Sequence, residues 1–420
     1  MLASVFIMQP LGQFAAYLVG LVVLLALRNN YHLDVNSDQA DSAPVVDMFW
    51  RWVTGLGAVP AVVALVFRLT IPESGRWRLD VQGQADRAII DTHAHFGTIS
   101  HISLDDDLEI RSVLTQQTTM DDNDGPPPQQ ISFELLRRYL ITDGNWRYLA
   151  GTSLSWAMFD FAYYGLQINN PRFLAKLWAS SAPESTVHAL PAWLPNPARW
   201  NTTTGQPTTT VYQVLIDNSI HSMISVSLGS ILGSLLLICV IDYLPRRKFL
   251  IWSFLALALL TAGTGISYLH TFRTERYGIT LALFILCQLL FNFGPNTLTF
   301  IIPAEIFPTH IRCTCHGIAA ASGKLASVIV QATLRCMKFN GMLITNLDSN
   351  GMGWVLIIFS AALALGALFT WAWIPEVQHH RREGSFIRQS KTLEELAMGR
   401  KGEIEHEKVG MRLRMRRMKR

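Results

Sequence analysis

The amino-acid sequence predicts an all-α membrane protein with eight transmembrane helices, and three observations carry that prediction. Apolar runs near 20 residues recur eight times, each long enough to cross about 30 Å of hydrocarbon as a helix. Half of the 420 residues are hydrophobic and only 16% are charged, where a soluble chain carries about 25%. The charges that remain gather between the apolar runs instead of spreading over a surface.

Taken in order, the predicted spans lie near Leu2–Leu27, Asp47–Thr70, Asn145–Ile168, Gln213–Ile241, Phe249–His270, Gly278–Ile302, Cys313–Cys336 and Met352–Ile374. The first starts almost at the N-terminus. It is longer than the apolar core of a signal peptide and has no small-residue cleavage site. The third is the most polar, and the sixth carries Pro295, which removes a backbone donor and predicts a bend. Residues 1–71 therefore form a two-helix segment and 145–375 a six-helix segment. Between them, residues 72–144 are polar, with acidic Asp105, Asp106, Asp107 and Glu109 and the turn Gly125-Pro126-Pro127-Pro128. That composition predicts a flexible linker. Residues 376–420 form a basic tail.

Sidedness follows from the positive-inside rule. Arg76, Arg78, Arg137, Arg138, the Arg246-Arg247-Lys248 run, Arg312 and the tail all fall on one side, which is expected to be cytoplasmic and to hold both termini. The sequon Asn201-Thr202-Thr203 falls on the opposite side, where glycosylation occurs.

Several functions are disfavoured. A net charge of +4 requires no nucleic-acid partner. Cys239, Cys287, Cys313, Cys315 and Cys336 sit in or beside apolar segments, as embedded cysteines do, rather than in a disulfide framework. Cys313 and Cys315 are too close in sequence for the usual zinc spacing. His93 and His95 follow the apolar stretch Ala88-Ile89-Ile90 in the manner of a metal-binding strand end. The barrel such a site requires is replaced by linker and membrane spans. No enzyme activity, cofactor or metal is expected.

Ionisable residues inside a span are disfavoured by about 2.5–3.5 kcal/mol on insertion scales and mark function. Asp160 in the third span and Lys324 in the seventh stand out. Trp156, Asp160 and Tyr164 are spaced by four and share one helix face. A carboxylate in that stripe needs water, a counter-charge or a substrate, and it can carry a proton. Lys324 supplies a fixed positive charge for an anion, or else simply pairs with Asp160. Asn296 offers a donor and an acceptor beside the Pro295 bend, and Gln9 places a similar amide in the first span.

These stretches together resemble the phosphate:proton symporter family of the major facilitator superfamily, of fungal type. The most specific parts are Trp156-x3-Asp160-x3-Tyr164, Phe293-Gly294-Pro295-Asn296 running on to Pro303-Ala304-Glu305-Ile306-Phe307-Pro308-Thr309, and His316-Gly317 leading to Ala321-Ser322-Gly323-Lys324. Ile71-Pro72-Glu73-Ser74-Gly75-Arg76 is similar to the signature after the family's sixth span, with Gly75 in place of proline. Asp242-x3-Arg246-Arg247 is similar to the superfamily's loop between spans eight and nine, with Pro245 in place of glycine.

The resemblance implies a major facilitator fold whose spans five to twelve are the eight present here. Spans one to four have no counterpart, so an N-terminally truncated member is expected. It further implies a substrate site of Gln9, Trp156, Asp160, Tyr164, Asn296 and Lys324, with Asp160 coupling to protons. Transport of inorganic phosphate by alternating access at the plasma membrane would follow. A glycerophosphodiester or other organic anion is the alternative cargo. A non-transporting sensor or remnant is the alternative role.

Overall fold

The computed structural model describes residues 2–31, 39–71, 133–170, 173–174, 211–271, 276–339, 342–343 and 351–376. The His93–His95 pair, most of the linker, the Asn201 sequon and the basic tail lie outside the described residues.

The helices are α1 (Leu2–Phe6), α2 (Met8–Tyr31), α3 (Gln39–Arg68), α4 (Phe133–Arg137), α5 (Trp146–Gln167), α6 (Val211–Ser222), α7 (Gly229–Val240), α8 (Arg246–Thr271), α9 (Tyr277–Phe293), α10 (Pro295–Ile306), α11 (Thr309–Cys336) and α12 (Gly351–Trp373). A π-helical turn, Arg138–Thr142, continues α4, and another, Met223–Leu228, joins α6 to α7. A two-residue hairpin, β1 (Lys338–Phe339) with β2 (Met342–Leu343), is the sheet structure among the described residues.

Seven helical stretches among the described residues are long and apolar enough to cross a membrane: Ala3–Tyr31, Asp47–Arg68, Leu215–Val240, Arg246–Thr271, Gly278–Ile306, Ile311–Cys336 and Gly351–Trp373. The remaining predicted span is α5, which has the length, at 22 residues, but not the apolarity. Its Thr152, Ser155 and Asp160 are buried against neighbouring helices. A helix so enclosed meets protein over much of its surface and needs fewer apolar side chains than one facing lipid.

Two predicted spans have internal structure that their hydropathy conceals. The fourth contains the Met223–Leu228 π turn. The sixth breaks where Pro295 predicts a bend: α9 ends at Phe293, Gly294 leaves helical geometry (φ −147°, ψ −80°), and α10 begins at Pro295.

The chain divides into two compact units. One comprises Met1–Ala61, Ala150–Ile302 and Ile318–Ser390; the other comprises Val62–Leu149, Pro303–Gly317 and Lys391–Arg420. In the first, α8 packs along α12 at the bare backbones of Gly265 and Gly353. A Cβ on Gly265 would lie 2.8 Å from the Gly353 carbonyl oxygen, the close approach that small residues permit between membrane helices. At the opposite end of the two helices, the Arg247 Nη2 donates to the Trp371 carbonyl at 2.6 Å, and the Arg247 backbone N–H donates to Glu376 Oε1 at 3.3 Å. Burial raises the Glu376 pKa, and Arg247 and Lys248 partly oppose that shift. In the second unit, Asn145 Nδ2 donates to the Tyr139 carbonyl at 3.2 Å, and Arg312 Nε to the Phe307 carbonyl at 3.0 Å.

Candidate functional site

All six predicted site residues fall within the first unit. The stripe on α5 faces α11, and four hydrogen bonds from three α11 side chains fix the register of the two helices. Ser322 Oγ donates to the Ser153 carbonyl at 2.8 Å. Lys324 Nζ donates to Asp160 Oδ2 at 3.1 Å and to the Tyr164 hydroxyl at 2.7 Å. Gln331 Nε2 donates to the Tyr164 carbonyl at 2.8 Å. The ammonium also lies 4.0 Å from the Tyr164 ring centroid, within cation–π range.

The ion pair is lopsided. The Asp160 side chain is 3% exposed, whereas that of Lys324 is 59% exposed. Asp160 is thus enclosed by protein, with Trp156 as a further hydrogen-bond partner. Lys324 keeps an open face, so its charge can meet an anion without first leaving Asp160. Pairing with Asp160 and readiness for an anion, set as alternatives by the sequence, coexist here.

Gly323 makes this arrangement possible. A Cβ there would lie 2.6 Å from Asp160 Oδ2 and 2.8 Å from Trp156 Cδ1, closer than van der Waals contact allows. The sequence marks Gly323 only as Lys324's neighbour; the structure makes it the seat of the carboxylate.

Gln9 and Asn296 form the second part of the site. Asn296 Nδ2 donates to Gln9 Oε1 at 3.0 Å and to Asn292 Oδ1 at 2.9 Å. The latter bond spans the break at Gly294 and ties the start of α10 to the end of α9. Gln9 Nε2 donates to the Tyr163 hydroxyl at 3.3 Å. Tyr163 and Tyr164 touch edge-to-face, with centroids 5.2 Å apart, and join the amide group to the charged group. Phe300 closes one flank, 6.2 Å from the Trp156 ring and 4.8 Å from Phe6. Asn292 and Tyr163 were not predicted. Their one sequence signal is polarity inside apolar runs, and choosing them from it requires knowing which helix they face.

A cation, a carboxylate, two phenols and three amides on α2, α5, α9, α10 and α11 give a site that can hold a small anion by charge and by hydrogen bonds. Its carboxylate can also accept a hydroxyl proton. Among the described residues no cluster of three or more metal-ligating side chains occurs.

Residues 167–384, more than half of the chain, match the sugar (and other) transporter family. The chain belongs to that family. The matched segment includes Asn296 and Lys324. The chain is 33% identical over 399 residues to the repressible high-affinity phosphate permease of Neurospora crassa, covering 94% of this chain and 62% of the permease. It is 29% identical over 414 residues to the inorganic phosphate transporter PHO84 of Saccharomyces cerevisiae, covering 97% and 62%. The chain therefore spans about three-fifths of the length of these relatives. A solved structure of XylE, a proton:xylose symporter of the major facilitator superfamily bound to 6-bromo-6-deoxy-D-glucose, superposes with a TM-score of 0.53. It has 19% identity and covers 88% of this chain and 64% of XylE. That likeness establishes the major facilitator fold.

Proposed function

We propose that this protein carries inorganic phosphate across a membrane together with protons, by alternating access about the site of Gln9, Trp156, Asp160, Tyr164, Asn296 and Lys324. The observation that carries the reading is the lopsided pair: an open-faced Lys324 held against an enclosed Asp160 and capped by Tyr164. The names of the phosphate permease and transporter relatives support phosphate as the anion.

Monobasic phosphate offers oxygens to Lys324 and to the second amide hydrogen of Gln9, and a hydroxyl to Asp160; Asn296, with both amide hydrogens donated, holds the Gln9 amide in place. Entry of the anion gives Lys324 a second partner and frees Asp160 to take the transported proton. The role is transport without chemical conversion, and no cofactor enters it. In this reading residues 1–71 and 145–375 are the two membrane segments, 72–144 the cytoplasmic linker and 376–420 the cytoplasmic tail. The plasma membrane is the location, with both termini inside.

The test is uptake of radiolabelled phosphate by cells lacking their own phosphate transport and expressing this chain. Uptake should rise with an inward proton gradient, and Asp160→Asn should abolish it. Equal uptake by that variant would sink the coupling role. Competition by glycerophosphodiesters at concentrations matching phosphate would move the assignment to organic phosphates.

A further inference from the structure

We propose that Gln13, Gln167, Asn170 and Gln288 form a second, uncharged station for a tetrahedral oxyanion that carries a hydroxyl. The station rests on the phosphate reading above and adds a site to it. Its place follows from helix register. Gln9 on α2 meets Tyr163 on α5, and Gln13 meets Gln167, both pairs 154 residues apart, so the two helices run in step. On the oppositely directed α9–α10 segment, Asn296 meets Gln9 and Gln288 meets Gln167. Polar groups therefore recur at two levels. Asp160 and Gln167 are separated by about 10 Å along α5, or two turns.

At the second level every hydrogen-bonding position of the Gln167 amide that faces its neighbours is engaged. Its Oε1 accepts from Gln13 Nε2 at 3.3 Å and from Asn170 Nδ2 at 2.6 Å, and its Nε2 donates to Gln288 Oε1 at 2.7 Å. Two ends are left over. Gln288 Nε2, a donor, and Asn170 Oδ1, an acceptor, are buried without a protein partner. Both residues are 0% exposed. Turning either amide by 180° breaks its bond to Gln167 and leaves the shortfall in place. Donor and acceptor thus stand on two amides bonded to the same Gln167.

The backbone opposite is shaped to the same place. The π turn Met223–Leu228 leads into α7, whose Gly229 abuts α9. A Cβ on Gly229 would lie 2.9 Å from the Ile285 carbonyl oxygen and 3.3 Å from Gln288 Cβ. Ser227 and Ser230, flanking Gly229, have buried hydroxyls that also lack a partner. Isolated π turns cluster at functional sites because they re-aim side chains within a helix.

A guest that answers both leftover ends supplies an acceptor and a donor at once. Monobasic phosphate does so through its oxygens and its P–OH. Sulfate is fully deprotonated near neutrality and supplies acceptors only. Holding the anion by dipoles alone makes this station weaker than the one at Lys324, as a release step requires: an ion leaves a charged site more readily when a nearby site receives it without trapping it.

The test is equilibrium binding of radiolabelled inorganic phosphate to the purified chain in lipid nanodiscs, with gel filtration to confirm monodisperse protein. The wild type should bind two phosphates, the second at least about tenfold more weakly. Lys324→Gln should lose the tight site and keep the weak one. Gln288→Met, which keeps side-chain length, and independently Asn170→Leu, should lose the weak site and keep the tight one. Sulfate should leave the weak site occupied. Retention of the second phosphate by both amide variants, its displacement by sulfate, or one-site binding by the wild type would overturn the station and leave the cluster holding water only. No phosphate bound by any protein, the wild type included, would overturn the phosphate reading itself.

Discussion

Asp160 and Lys324 hold one level of the membrane interior with full charges; Gln13, Gln167, Asn170 and Gln288 hold the next with dipoles alone. The charged level admits one arrangement. Asp160 is enclosed, Lys324 is pinned between it and Tyr164, and Gly323 lets the helices close around both. Removing one partner strands the other as an uncompensated charge. The amide level admits several, because an amide carries donor and acceptor together and neighbours can exchange partners by rotation. In the proposed reading charge sets affinity and coupling, while the dipoles set how the anion moves on.

That contrast is broken most directly at Lys324. Lys324→Gln keeps a donor but removes the charge, and phosphate uptake should fall by about 100-fold, since stranding an enclosed carboxylate such as Asp160 without its charged partner costs about 2–5 kcal/mol. An equally active variant would show that dipoles suffice at both levels. Gly323→Ala leaves every functional group in place and tests geometry alone. Overpacking of about 1–3 kcal/mol should cut uptake about tenfold or more, with protein yield retained. Tyr164→Phe deletes one hydroxyl that accepts from Lys324 while leaving the ring beneath the ammonium. A rise of about three- to tenfold in the half-saturating phosphate concentration is expected, from the loss of one charged hydrogen bond. A smaller effect would assign the tyrosine to the cation–π contact.

The smallest effect lies far from both levels, at Glu376. Its folded-state pKa is raised above the unfolded value, chiefly by burial, so the folded protein holds this proton more tightly than the unfolded chain. Its contribution favours the fold at low pH and is lost as pH rises from the ordinary carboxylate range through the raised value. Half-burial makes the effect slight. Melting temperatures followed from pH 4.5 to 7 should fall less steeply for Glu376→Gln than for the wild type. Parallel curves would place the pH response elsewhere.

The span pattern was open to reading because a helix in hydrocarbon must advertise itself over some 20 residues. Even α5, too polar to count as a span on hydropathy in the structure, is legible as a stretch of about 20 residues, and the spacing of Trp156, Asp160 and Tyr164 then marks one of its faces. Of the two roles the residues allow Lys324, the structure shows the pairing with Asp160 and leaves the other face of the ammonium open. Gln9 and Asn296 stand out as amides inside spans, family resemblance puts them in one site, and the structure joins them by a single hydrogen bond. Tyr163 and Gln288 stayed hidden because a lone polar residue in an apolar run does not reveal its partner 121 or more positions away. The π turn left no mark in composition at all. Gly323 was quoted for its motif, but its reason lies in atoms of another helix.

The interruption at Gly294 has an electrostatic consequence. A continuous helix would carry its positive pole only to the membrane surface. By ending α9 at Phe293 and starting again at Pro295, the chain sets the carbonyl end of one helix against the N–H end of the next beside Asn296. The two opposed poles, about half a unit of charge each, nearly cancel, so the break adds polarity without adding net charge. Backbone groups that an unbroken helix would keep to itself are turned towards the Asn296 amide, and no counter-ion is needed to hold them there.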